Sequence, residues 1–278
     1  DIIMPEWVSE LLNDMFMGPF FVAAKWIWNW CMGLCTGVMT KSPQTFSAET
    51  WQFVTETLYP WSLAIGVACL NLFFIIGFLK ASSNLKENIT LEMSVEAMIR
   101  LVAVNALLQA GLKLISTFFT MASALAGQVA GFQQPEFFTS DHDIGANLFW
   151  WLFGFGYFLV AVVCAILIFL TLYGRYIKLY MLLITYPIAM PTIVAGRGVD
   201  STAYAWLKTF LSNVFEIVAI ALTMSIAGRL ISGITLPDAG FASNFDGFKQ
   251  GMHSIIYMIL MATSVKGTPA FINKAFNL

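Results

Sequence analysis

Charge is what this chain has least of. Asp, Glu, Lys and Arg make up 11% of its 278 residues, where a soluble domain carries about 25%. So few charges cannot cover a water-facing surface, which excludes the ordinary soluble globular class. Lipid as the solvent removes that requirement, and 59% of the residues are hydrophobic. The formal net charge is −2. That excludes a broad basic surface for duplex DNA or RNA, though not a local basic rim.

Residues that carry chemistry are scarce as well. Only His142 and His253 are present, and neither lies in an HExxH sequence. No GxxxxGK[ST] loop exists to cradle a phosphate, because Gly196-Arg197-Gly198 lacks the spacing. No GxSxG marks a serine hydrolase. No apolar run contains the two aspartates of a membrane aspartyl protease. Asp141-His142-Asp143 reads as a solvated loop, and Asn88-Ile89-Thr90 as a glycosylation pattern on the wrong side of the membrane. The sequence therefore predicts neither an enzyme nor a cofactor or metal site. The four cysteines, Cys31, Cys35, Cys69 and Cys164, are too dispersed for a disulfide framework. Cys31 and Cys35 stand at helical i, i+4 spacing and read as two buried thiols on one helix face. The start of the sequence, Asp1 to Asn13, lacks the basic and small-residue features of a signal peptide.

What is abundant is long apolar sequence. A membrane-crossing helix needs about 20 such residues, and the runs predict spans at 58–79, 95–126, 148–172, 207–231 and 252–271. A shorter run, 179–195, holds Pro187 and Pro191. Proline removes a helical hydrogen bond and clashes with the preceding turn, so this run predicts a kinked, re-entrant hairpin. The expected fold is an all-α integral membrane protein. Residues 58–278 form its polytopic domain, and 1–57 form an amino-terminal region on the outer side. In that region Trp7, Leu11, Leu12, Met15 and Phe16 alternate with Glu6, Glu10 and Asp14 at helical spacing. The sequence then turns strongly apolar around Trp26, Trp28 and Trp30. A helix along the outer interface, or against a partner, is expected; a further span is the alternative.

Lys and Arg set the expected orientation. Lys80, Lys86 and Arg100 follow the first span, while 128–147 holds neither residue type. Arg175 and Lys178 follow the third span, Arg197 and Lys208 flank the fourth, and Lys266 and Lys274 lie in the tail. One assignment fits: amino terminus outside, carboxyl terminus cytoplasmic. Tyr59 with Trp61, Trp150 with Trp151, Tyr173 with Tyr176, and Tyr204 with Trp206 mark the headgroup levels.

Two spans carry ordered polar faces. At about 100° per residue, Asn105, Gln109, Lys113, Ser116, Thr120 and Ser123 fall on one narrow face of the second. Thr209, Asn213, Glu216 and Thr223 do so on the fourth. Polar groups are costly in lipid, so both faces turn inward. They either pack within the bundle, or one of them, the second span's first, lines a hydrated lumen or a subunit seam. By depth Glu216 matches Asn105 and Gln109 better than Lys113. Arg100 or a neighbouring subunit are the other partners open to it.

The stretch Gly174-Arg175-Tyr176-Ile177-Lys178-Leu179-Tyr180, continuing through Tyr186-Pro187-Ile188-Ala189-Met190-Pro191, resembles the TrbL-like conjugal transfer proteins. These are the polytopic membrane subunit of type IV secretion systems. Gly196 to Asp200, Trp206-Leu207-Lys208 and the pattern from Glu49 to Gln128 extend the resemblance over most of 45–235. It implies a homo-oligomeric ring, five-fold by family expectation, in the cytoplasmic or inner membrane. It implies partners: secretion ATPases, an outer-side stalk or conduit protein, lipid, and exported DNA or protein in transit. Gly174, Arg175, Lys178, Pro187 and Pro191 belong to the expected cytoplasmic re-entrant segment, whose Pro187/Pro191 hairpin is expected to plug or brace the cytoplasmic face. A small-solute or ion transporter is the competing expectation, and it calls for two symmetric halves with paired broken helices.

Overall fold

The computed structural model describes residues 19–83, 91–129, 144–195, 201–232 and 246–275. Among them there is no strand. Helix α1 spans Pro19–Met39, and two short helices follow, α2 Pro43–Phe46 and α3 Ala48–Phe53. A wide π turn, Val54–Leu58, leads into α4, Tyr59–Ser83. Then come α5 Leu91–Val129, α6 Ile144–Ala189, a 3-10 turn Met190–Ala195, α7 Ser201–Ser232 and α8 Asp246–Ala275. Five stretches are long and apolar enough to cross a membrane: Ala48–Leu79, Ser94–Val129, Trp151–Ala195, Thr202–Leu230 and Gly251–Ala275. The protein is an all-α, multi-pass membrane protein, and each of these stretches overlaps one predicted span. The amphipathic lead-in before Pro19, the Asp141-His142-Asp143 loop and Arg197 lie outside the described residues.

The short helices start where local chemistry dictates. Pro43 opens α2 with its φ already set and no N–H to leave unsatisfied. The Thr45 hydroxyl accepts from the Ser42 backbone N–H at 3.1 Å. Ser47 caps α3 by accepting from the Thr50 N–H at 3.3 Å.

The chain divides into two compact units. One comprises Asp1–Thr40, Ala126–Tyr173 and Ala219–Pro269; the other comprises Lys41–Leu125, Gly174–Val218 and Ala270–Leu278. In the first unit α1 buries Phe21, Ala24, Trp28, Cys31, Met32, Cys35 and Val38, a stripe at three- and four-residue spacing. It runs beside α6 in the same direction. Phe20 meets Phe155 at 5.5 Å between ring centroids, Phe21 meets Tyr157 at 5.8 Å, and the Cys31 thiol donates to the Ala165 carbonyl at 3.1 Å. α1 keeps step with α6 over about 15 Å. The inward stripe is the reason, since it needs a helical groove to fill. In the same unit Thr268 donates to Thr223 at 3.2 Å, tying α8 to α7.

The structure differs from the expected elements at α6. The separate span 148–172 and re-entrant run 179–195 are one helix up to Ala189, 46 residues long and about 69 Å at 1.5 Å per residue. The charge taken to end the span is absorbed sideways. Arg175 is 2% exposed; its Nε donates to the Asn213 carbonyl and its Nη2 to the Val214 carbonyl, both at 3.3 Å. Tyr176, expected at an interface, is buried, stacks on Phe46 at 4.0 Å and donates its hydroxyl to the Lys41 carbonyl at 2.7 Å. Pro187 falls in the last turn of the helix, and the turn Met190–Ala195 follows. Residues 196–200, which follow that turn, lie outside the described residues.

Candidate functional site

The second unit holds the polar residues Asn105 to Thr120 of α5, Gly174, Arg175, Lys178 and Pro187 of α6 with Pro191 in the turn after it, and Glu216 of α7; Thr223 falls in the first unit. The polar face of α5 comes first. Asn105, Gln109, Lys113 and Thr120 are exposed and Ser116 is half-buried. The side chains of Asn105, Gln109 and Lys113 make no hydrogen bond among the described residues. Ser116 donates to the Lys113 carbonyl at 2.9 Å, and Thr120 to the Ser116 carbonyl at 3.0 Å. One residue from outside the helix reaches this face. The Gln44 amide donates to the Ser116 carbonyl at 3.2 Å, and its oxygen accepts from the Thr120 hydroxyl at 3.5 Å. Gln44 gives no signal in the sequence, because it acts from a four-residue helix whose position is fixed elsewhere. Tyr180 fixes it, donating to the Pro43 carbonyl at 2.7 Å.

Lys113 stands near the middle of Ser94–Val129, about 28 Å and 24 Å from its ends. The opposite side of α5 is the one that packs: Val104, Leu108, Ile115, Phe119 and Ala122 are buried. So the chain folds around the apolar side of α5 and leaves Asn105, Gln109 and Lys113 of the polar face uncovered.

The polar face of α7 is treated the other way. Thr209 donates to the Ala205 carbonyl at 2.9 Å, and the Asn213 amide to the Thr209 carbonyl at 2.7 Å. Glu216 is 3% exposed. Its Oε2 lies 3.9 Å from Lys178 Nζ, and its Oε1 has no hydrogen-bond partner among the described residues. The expected neighbours Asn105 and Gln109 do not reach it, and Arg100 pairs with Glu96 one helical turn away. The reason is the unbroken α6, which carries Arg175 and Lys178 alongside α7. Three charges, Arg175, Lys178 and Glu216, therefore meet within this unit.

The proline segment is held by α4. A Cβ on Gly66 would lie 2.2 Å from the Pro187 carbonyl oxygen, and one on Gly77 would lie 2.8 Å from the Val194 oxygen. Carbonyls at a helix end lack intrahelical partners. Here they press against glycine Cα, a contact only a missing side chain permits. Gly111 of α5 makes similar room for the Tyr186 ring, whose hydroxyl donates to the Leu107 carbonyl at 2.8 Å. Irregular backbone inside a membrane survives only where protein covers it. Met190, Pro191, Thr192, Val194 and Ala195 are all buried. Gly174, by contrast, faces open space.

Comparison with protein families, with curated proteins and with solved structures finds no match to this chain.

Proposed function

We propose that this protein is a non-catalytic, homo-oligomeric channel or scaffold subunit of a conjugative type IV secretion apparatus, supporting export of DNA or protein. The carrying observation is the uncovered face Asn105–Gln109–Lys113 at mid-helix. A cation and two amides facing acyl chains are costly. Trapped water or another copy of the chain removes that cost, and either one makes an assembly the working form. The resemblance of 174–191 to TrbL-like proteins supplies the kind of assembly. Lys80, Lys86, Arg197 and Lys208 on one side, against a loop at 128–147 with no Lys or Arg, support an outer amino terminus and a cytoplasmic carboxyl terminus.

The test is Lys113→Glu in a strain that transfers DNA through this protein. Transfer falls to background while the variant accumulates in the membrane at the normal level, and Lys113→Arg restores transfer. Normal transfer by Lys113→Glu removes the face from any functional role.

A further inference from the structure

The second unit contains an open apolar groove of about 350 Å³ between α5, the end of α6 with its 3-10 turn, and the start of α7. Phe118, Tyr186, Met190, Trp206 and Phe210 form its walls. They are braced against one another. Trp206 stacks on Phe210 at 5.0 Å, Phe118 meets Phe210 edge-on at 5.8 Å, and Tyr186 meets Trp206 at 5.1 Å. The polar atoms of two of these rings are spent elsewhere. The Trp206 N–H donates to Thr185 at 3.1 Å, and the Tyr186 hydroxyl to the Leu107 carbonyl. The groove is thus preformed, and Trp206 and Tyr186 offer a ligand in it no free polar atom.

Its rim is different. Tyr204 lines the groove and is 63% exposed. Lys208 lies over the Tyr204 ring, with Nζ 5.0 Å from the centroid. The Tyr204 hydroxyl has no partner among the described residues. An ammonium and a phenol therefore sit at the mouth of an apolar slot, near the start of the apolar stretch Thr202–Leu230.

The geometry points to a bound anionic phospholipid, with one acyl chain in the groove and its phosphate on Lys208 and Tyr204. An empty slot in hydrocarbon forfeits dispersion contacts on its lining, and an acyl chain is the filler the bilayer supplies. That alone is solvation. The rim makes it a site, because a fixed ammonium selects a lipid with net negative charge over a zwitterionic one. One lysine near an anionic headgroup contributes about 1 kcal/mol, roughly a fivefold preference. Pockets of roughly 300–1,000 Å³ with apolar walls and a few polar groups at one end are the usual form of a small-ligand site. The inference stands apart from the secretion reading, since it needs only the groove, its rim and a bilayer.

Trp206 reports on the groove directly. The full chain is placed in bilayers of equal phosphatidylglycerol and phosphatidylcholine, with bromine on the acyl chains of one lipid or the other. The fluorescence component lost on Trp206→Phe is then followed. It is quenched about fivefold more effectively by brominated phosphatidylglycerol, and Lys208→Ala brings the two lipids to parity. Equal quenching in the unaltered protein overturns the headgroup assignment, and no quenching by either lipid overturns the occupied groove. Added inorganic phosphate leaves the quenching unchanged. Relief by phosphate would mark a site for the free anion and overturn the lipid as its source.

Discussion

Arg175 concentrates the energetics of this molecule in one side chain. It is buried to 2% exposure, gives two hydrogen bonds to main-chain carbonyls, and shares its surroundings with the buried Glu216 carboxylate. A buried charge deprived of its compensating partner costs about 3–5 kcal/mol, whereas removing both charges together is often neutral. Arg175→Met should therefore destabilise the protein by about 3 kcal/mol or more, read as a lower unfolding midpoint in detergent. Glu216→Gln alone should cost less, because among the described residues one oxygen has no hydrogen-bond partner and the other lies 3.9 Å from Lys178. The double variant should regain a large part of the Arg175→Met loss. If it is no more stable than Arg175→Met, packing of the long side chain rather than its charge holds α6 to α7. None of this was legible in the sequence. Arg175 after a long apolar run has the pattern of a cytoplasmic flank, and only the register of α7 beside it shows a guanidinium turned inward.

At the scale of elements, the helices were legible and their junctions were not. Apolar runs of 20 or more residues announce spans because hydrocarbon demands them, and all five appear. The join of 148–172 to 179–195 is hidden in the sequence by Pro187, whose effect depends on where in the helix it falls. Near the end of a helix a proline removes one hydrogen bond and lets the preceding turns stand. The stripe that lays α1 along α6 could be read from Phe21, Ala24, Trp28, Cys31 and Cys35. What it lies against could not. The glycines separate two kinds of position on adjoining elements. Gly66 meets a main-chain carbonyl, which cannot swing aside as a side chain can, so Gly66→Ala displaces the proline segment and lowers stability. Gly174 lies inside α6 with free space around it, so Gly174→Ala should raise stability by about 0.5–1 kcal/mol through lost chain entropy. Unfolding midpoints of the two variants in the same detergent check the contrast. A Gly66→Ala protein as stable as the unaltered chain would show that the α4 contact does not hold the turn.

For the whole molecule, the exposed apolar residues and the exposed polar face make opposite demands. Trp151, Leu152, Ile177, Met181 and Leu230 are exposed and suit acyl chains. Asn105, Gln109 and Lys113 are exposed and do not. A single chain in lipid cannot satisfy both, so the orientation of the spans decides which compartment any water beside α5 adjoins. The native thiols make that orientation easy to measure. Cys31, Cys35 and Cys164 are buried and only Cys69 is partly accessible, so one replacement at Cys69 gives a quiet background. A cysteine introduced between 130 and 145 should react with a membrane-impermeant maleimide in intact cells. One introduced between 84 and 90 should react only after permeabilisation. The Lys and Arg asymmetry requires that order, because short cytoplasmic loops retain the cations. The reverse order would put Lys80 and Lys86 outside and invert every span. It would also open the Lys113 face toward the opposite compartment, leaving the outer amino terminus and the proposed export path without support.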